Sequence, residues 1–207
     1  MPLRLALLLG VAVAVGVSTA AHAVTFTFEC ITNNSPTDCG IGEAQITVDV
    51  IAGPGADQVT FHFKNSGPLD SSLTDVYFDN GSLLAIASVV DGPGTDFEPV
   101  ASPPELPGGD TLTPPFETTE GFSADSEPPV QPNGANSGEW VKILFDLLPG
   151  KTIADTLAAL EDGSLRIGIR VQGFESEGSE SFVNVPEPAL GWLVAGALVA
   201  SRRRRAR

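Results

Sequence analysis

The 207-residue chain is poor in the side chains that serve enzymes as nucleophiles, bases and soft metal ligands: it holds two cysteines, two histidines, one tyrosine and one methionine. Between residues 24 and 185 His62 is the only histidine. It alternates with Phe61 and Phe63, so it points away from their apolar face and has no second imidazole to work with. The stretch "GFSAD" around Ser123 is not a nucleophile elbow, and no Ser-His or Cys-His constellation can be assembled. Zinc needs two ligands beyond Cys30 and Cys39, which one histidine does not supply. The expectation is a protein without catalytic residues and without a resident cofactor.

Basic residues are just as scarce. Lys64, Lys142, Lys151, Arg166 and Arg170 stand against 25 acidic residues between 24 and 185, a balance of −20. Such a body repels nucleic acid and anionic headgroups. Long hydrophobic runs are missing too. The two apolar stretches, Leu5–Val17 and Ala189–Ser201, are both short of the roughly 20 residues that a membrane-spanning helix needs.

Those two stretches nevertheless carry information. The first follows Arg4 and precedes Ala21-His22-Ala23, the order of charge, apolar region and small-x-small site that marks a secretory signal peptide cleaved after Ala23. The second has 13 residues, about 20 Å as a helix against about 30 Å of hydrocarbon, which favours temporary retention over permanent anchoring. Arg202, Arg203, Arg204, Arg205 and Arg207 follow it, and Arg4 precedes the first, so the positive-inside rule leaves the intervening chain outside the inner membrane. Pro186 and Pro188 hold Glu187 in an extended, unpaired backbone at the membrane surface, a form that a processing enzyme can grip.

Pro186-Glu187-Pro188, the apolar segment and the terminal arginines, paired with a signal peptide, resemble the PEP-CTERM sorting signal. The resemblance covers residues 186–207. It implies recognition by an exosortase, a membrane-embedded cysteine protease-transpeptidase of Gram-negative bacteria that make extracellular polysaccharide. Transit through the inner membrane to the cell surface or beyond is implied with it. The stretches "GEAQITVDV", "NSGPLDSSLTDVYFD" and "GSLRIGIRVQGFESEGSESFVNVPEP" also look like uncharacterised surface proteins bearing that signal, and no activity comes with that likeness.

The body, residues 24–185, has the length of one domain. Period-two alternation predicts strands in "VTFTFEC", "AQITVDV", "QVTFHFK", "TDVYFDNG", "EWVKILFDL" and "SLRIGIRVQGF", with "SFVNV" a last edge strand. "LLAIASVV" is apolar enough to be covered on both faces. In "KTIADTLAALEDG", Thr152 caps a short helix, Asp155 stands three residues on and Gly163 stops it. Residues 91–138 hold ten prolines and predict a long loop without strands beyond a short edge piece, partly pinned by Phe97, Phe116 and Phe122. The fold class expected is all-β, an antiparallel β-sandwich of jelly-roll or immunoglobulin-like connectivity with one short helix.

Remaining candidates lie on this frame. Cys30 and Cys39, nine residues apart around Asn, Ser, Pro and Asp, read as a disulfide across a surface loop, about 2.5–3 kcal/mol by loop entropy. Asp75, Asp79 and Asn80, and Asp91, Asp96 and Glu98, place oxygen ligands of the kind calcium takes on turns, although neither set has a calcium-loop spacing. Trp140 could stack on a sugar of an extracellular polysaccharide, or serve as cover for a second apolar cluster under the long loop. Two functions follow as expectations: a non-enzymatic, exported surface or matrix protein, and a carbohydrate- or calcium-dependent adhesin.

Overall fold

In the computed structural model residues 23–79 and 81–185 are described. They form two antiparallel sheets sharing one core, the arrangement of a β-sandwich. One sheet runs β1 (Val24–Phe26), β3 (Ile46–Ala52), β4 (Gln58–Asn65), β10 (Trp140–Leu147), β6 (Leu83–Asp91). The other runs β2 (Phe28–Cys30), β12 (Glu180–Asn184), β11 (Arg166–Gln172), β5 (Ser72–Asp79), β8 (Ser123–Ser126), β7 (Phe97–Pro99), and β9 (Ala135–Asn136) also pairs with β5. Three α-helices complete the described body: α1 (Pro36–Gln45), α2 (Val130–Asn133) and α3 (Ile153–Asp162).

The inner faces interlock through aromatic rings. Phe78 of β5 meets Phe61 of β4 at 4.9 Å and Phe145 of β10 at 4.7 Å, both edge to face. All three are fully buried, each contributing about 2–3 kcal/mol of apolar transfer. Alternation predicted this face correctly in β4 and β10, where Val59, Phe61, Phe63, Val141, Ile143 and Phe145 are all buried. In β5 the phase shifts once. Arg170 pairs with Asp75 and Val171 with Leu73, leaving Thr74 as the extra residue of a bulge.

The expected α3 is present with its signals in place: the Thr152 and Asp155 side chains cap each other's backbone, and Gly163 ends the helix at φ 76°.

Several expectations are corrected. "VTFTFEC" is not one strand, because the chain passes between sheets at Thr27: β1 pairs with β3 and β2 with β12. The Cys30–Cys39 segment is not simply a loop, since α1 begins at Pro36 with Ser35 as its cap. Its glycines conceal it in the sequence, yet Gly42 is required there. A Cβ on Gly42 would lie 2.2 Å from the Phe182 ring. The single helix expected is thus one of three α-helices among the described residues, which also hold a 3-10 turn at Gly109–Thr111. Glu180–Asn184 is not an edge strand but lies between β2 and β11. Conversely "LLAIASVV" is not covered on both faces: as β6 it ends its sheet, with Leu84 and Val90 about half exposed.

The proline-rich segment is more ordered than composition suggests. It supplies β7, β8, α2 and β9, and its stretch 101–118 straps the outer face of the second sheet. Ala101, Leu106 and Phe116 pack there on Tyr77 as a second buried cluster. Phe97 and Phe116 are buried and Phe122 packs on the main core, as the pinning expected of these aromatics requires.

Candidate functional site

The two ends of the described chain meet along one side of the sandwich. The Val185 N–H donates to the Thr27 carbonyl at 3.0 Å, so the last described residue stands beside the crossover between β1 and β2. Ala23, the expected cleavage residue, is exposed immediately before β1, while Ala21 lies outside the described residues. Pro186, Glu187, Pro188, the apolar segment 189–201 and Arg202, Arg203, Arg204 and Arg205 lie outside them as well. Among the described residues no helix is long and apolar enough to cross a membrane.

Near this side Cys30 and Cys39 are joined in a disulfide, Cα to Cα 5.4 Å, tying β2 to α1. Beside it Glu180 is buried and accepts from the Thr32 hydroxyl, the Asn34 N–H at 3.0 Å and the Ser35 N–H at 2.6 Å. A buried carboxylate held by three donors fixes the turn that starts α1. Among the described residues Cys30, Cys39 and Glu180 form the one close group of three ligand-type side chains. The disulfide consumes both sulfurs, which disqualifies the group as a metal centre.

The calcium candidates are placed apart. Asp75 is buried on the outer face of the second sheet, accepting from the Thr74 hydroxyl at 2.6 Å and the Tyr77 hydroxyl at 3.1 Å. Burial pushes its carboxyl up to about 6; the Thr74 bond opposes the rise and the charge of Asp125, directly across on β8, adds to it. Tyr77 is raised by its burial and by Asp75, and its hydroxyl also lies 3.1 Å from the Pro103 carbonyl in the strap. Asp79 lies on the same outer face, four residues further along β5. It forms an ion pair with Arg166 and accepts from the Glu117 N–H at 3.2 Å, while Arg166 donates to the carbonyls of Pro114 and Pro115. Asp79 is therefore engaged in holding the strap and Asp75 in bonds within its own strand, and Asn80 lies outside the described residues.

Asp91 accepts from the Phe97 N–H at 3.0 Å, and its carboxyl is raised by burial with a further contribution from Asp96. Glu98 raises Glu127 in the same way by its like charge. This acidic edge of β7 and β8 collects Asp96, Glu98, Asp125 and Glu127.

Trp140 lies on the outer face of the first sheet, away from the strap. Its ring is backed by Gly92, where a Cβ would come within 2.8 Å, meets the His62 ring edge to face at 5.2 Å, and carries Lys142 Nζ at 4.6 Å. The second apolar cluster is thus covered by the strap and centred on Tyr77, not on Trp140. His62 is outward, as its alternation requires, and desolvation with Lys142 and Lys64 nearby lowers its pKa. Its Nε2 has no protein partner.

Glu180, Tyr77 and the role of Arg166 as partner to Asp79 are what sequence reasoning did not single out. Apart from the Tyr77–Asp75 bond, their partners lie 26 to 148 residues away along the chain, and no local spacing encodes such meetings. Compared with known proteins, the chain matches no family model, no curated protein and no solved structure.

Proposed function

We propose that the chain is an exported, non-enzymatic cell-surface or extracellular-matrix protein whose C-terminal segment is recognised and processed by an exosortase. The observation that carries this reading is the ordered set at the end of the sequence: Pro186-Glu187-Pro188, a 13-residue apolar segment and the arginine cluster, matched by signal-peptide features up to Ala23. The disulfide supports an oxidising compartment for the body. The last described strand ends at Asn184, two residues before Pro186, and the two prolines of the motif disfavour helix there, which suits an enzyme that grips an extended peptide.

Intact-mass analysis of protein released from its producing cells tests the reading. The expected chain starts at Val24 and has lost Arg202–Arg207. Released chains that still end at Arg207 would overturn the processing step, and full-length chains with reduced thiols in the cytosol would overturn export. The adhesin reading is the weaker of the two. Asp75 and Asp79 are committed to internal bonds and the Trp140 ring to Gly92, His62 and Lys142.

A further inference from the structure

The strap over the second sheet is fastened unequally along its length. Its far end is held by the Asp79–Arg166 pair, with Arg166 donating to the carbonyls of Pro114 and Pro115 and the Glu117 N–H donating to Asp79. Its near end is held by β8: the Ala101 N–H donates to the Ser123 hydroxyl at 2.9 Å and the Ser102 N–H to Asp125 at 3.2 Å. Between these ends, among the described residues, one hydrogen bond ties 103–113 to the sheet, from the Tyr77 hydroxyl to the Pro103 carbonyl at 3.1 Å. Leu106 and Phe116 add packing on Tyr77 and over Gly168, where a Cβ would come within 2.6 Å of Leu106. The chain enters the strap through Val100, a β-branched residue at φ 79°, a left-handed conformation that persists only because its surroundings impose it.

The Tyr77 hydroxyl has one proton and two acceptors at the same distance, Asp75 Oδ1 and the Pro103 carbonyl, each 3.1 Å away. The other Asp75 oxygen accepts from the Thr74 hydroxyl at 2.6 Å, and Gln172 donates to the Thr74 oxygen at 3.1 Å, which leaves the Thr74 proton for Asp75. An ionised carboxylate is the stronger acceptor and takes the tyrosine proton, so the Pro103 carbonyl loses it. A protonated Asp75 reverses the direction: its own O–H donates to the Tyr77 oxygen, and the tyrosine proton goes to Pro103. We propose that Asp75, Tyr77 and Pro103 form a proton-operated latch, closed while Asp75 carries a proton and released when it ionises, which lets the strap lift about Val100 and bare the Tyr77 cluster. Charged neighbours bear on it from both flanking strands. Arg170 faces Asp75 from β11 and favours ionisation; Asp125 faces it from β8 and opposes it, with Glu98 of β7 beyond. Burial outweighs both and sets the carboxyl at about 6, so the latch works between mildly acidic and neutral surroundings. Once ionised, Asp75 also repels Asp125, whose strand holds the near end of the strap. The latch rests on the folded body alone and does not depend on export.

Hydrogen exchange of the full-length chain at about pH 5 and about pH 7.5, each corrected for intrinsic exchange, tests the latch. Protection of the amides in 101–118 should fall about tenfold at the higher pH while β4 and β10 keep theirs, a factor of ten being what one unit of pKa is worth. Tyr77 is the only tyrosine in the chain, so the ring-carbon resonance of a tyrosine-labelled sample reports the same event and should titrate with a midpoint of about 6. Asp75→Asn keeps a donor toward Tyr77 at every pH and should hold the strap protected at both values. Tyr77→Phe removes the latch and should leave the strap weakly protected at both. Equal strap protection at the two pH values in the unaltered chain overturns the proposal. So does a pH response that survives in Asp75→Asn or Tyr77→Phe, which would assign it to Asp125 or another group. Loss of protection in β4 and β10 along with the strap overturns it too, because the whole fold would then be answering to pH. The labelled tyrosine needs no variant and stays decisive if either substitution fails to fold: a resonance that does not move between the two pH values refutes the latch.

Discussion

Asp75 and Glu180 are both buried acidic side chains, and their surroundings give them different roles. Asp75 has a folded-state pKa of about 6, above the ordinary aspartate value, so the folded chain binds its proton more tightly than the unfolded one. Stability should therefore fall as pH rises from about 4 to about 6, and level off above. Asp75→Asn, which cannot ionise, is expected to flatten that slope and to raise stability at pH 7.5 by at most about 3 kcal/mol. Denaturant titrations at pH 4.5 and 7.5 would show it, and a variant with the wild-type slope would refute the assignment. Glu180 acts through its hydrogen bonds: its side chain accepts from three donors of the turn before α1. Glu180→Ala strands two backbone N–H groups and a hydroxyl, and should cost about 3 kcal/mol or more. The same titrations at pH 7.5 measure it. A loss under about 1 kcal/mol would mean that water replaces the carboxylate.

Local signals and tertiary demands meet differently in the two longer helices. α3 was legible because Thr152, Asp155 and Gly163 are local signals that act whatever the rest of the chain does. α1 was not, because Gly40 and Gly42 read as loop, and its cohesion comes from afar: the disulfide to Cys30, and Asp38 accepting from the Ser176 hydroxyl at 2.5 Å. Gly42→Ala separates the two influences. Helix propensity alone favours alanine by about 1 kcal/mol, whereas the Phe182 ring occupies the space of the new methyl. Phe182 is fully buried and has no room to retreat, so a net loss of about 1–3 kcal/mol is expected in thermal melts. An unchanged or raised Tm would show that α1 can shift away from β12. Strands follow the same division. Alternation exposed the inner faces of β4 and β10, but the β5 bulge at Thr74 and the crossover at Thr27 depend on partners distant in sequence.

At the scale of the whole molecule, charge is the dominant unbalanced quantity. Three ion pairs occur among the described residues, Lys64–Asp49, Lys151–Asp155 and Arg166–Asp79, and they leave most of the 25 acidic groups without a cation. Mutual repulsion of those groups should make the fold salt-dependent: Tm should rise between about 10 and 200 mM NaCl and then flatten as the screening length falls below the charge spacing. Calorimetry across that range checks it, and a Tm that falls with salt would mean that the three pairs outweigh the repulsion. Composition and local pattern by themselves determined the β class, the inner faces of the long strands, α3, the cysteine pairing and the excess of negative charge, because each rests on neighbours or on sums that need no three-dimensional arrangement. Only the tertiary structure decided that the proline-rich segment straps the second sheet over Tyr77, that Asp79 and Arg166 hold it there, and that β6 is left as an open edge. Those outcomes depend on which strands become neighbours, a long-range choice made by packing two faces into one core.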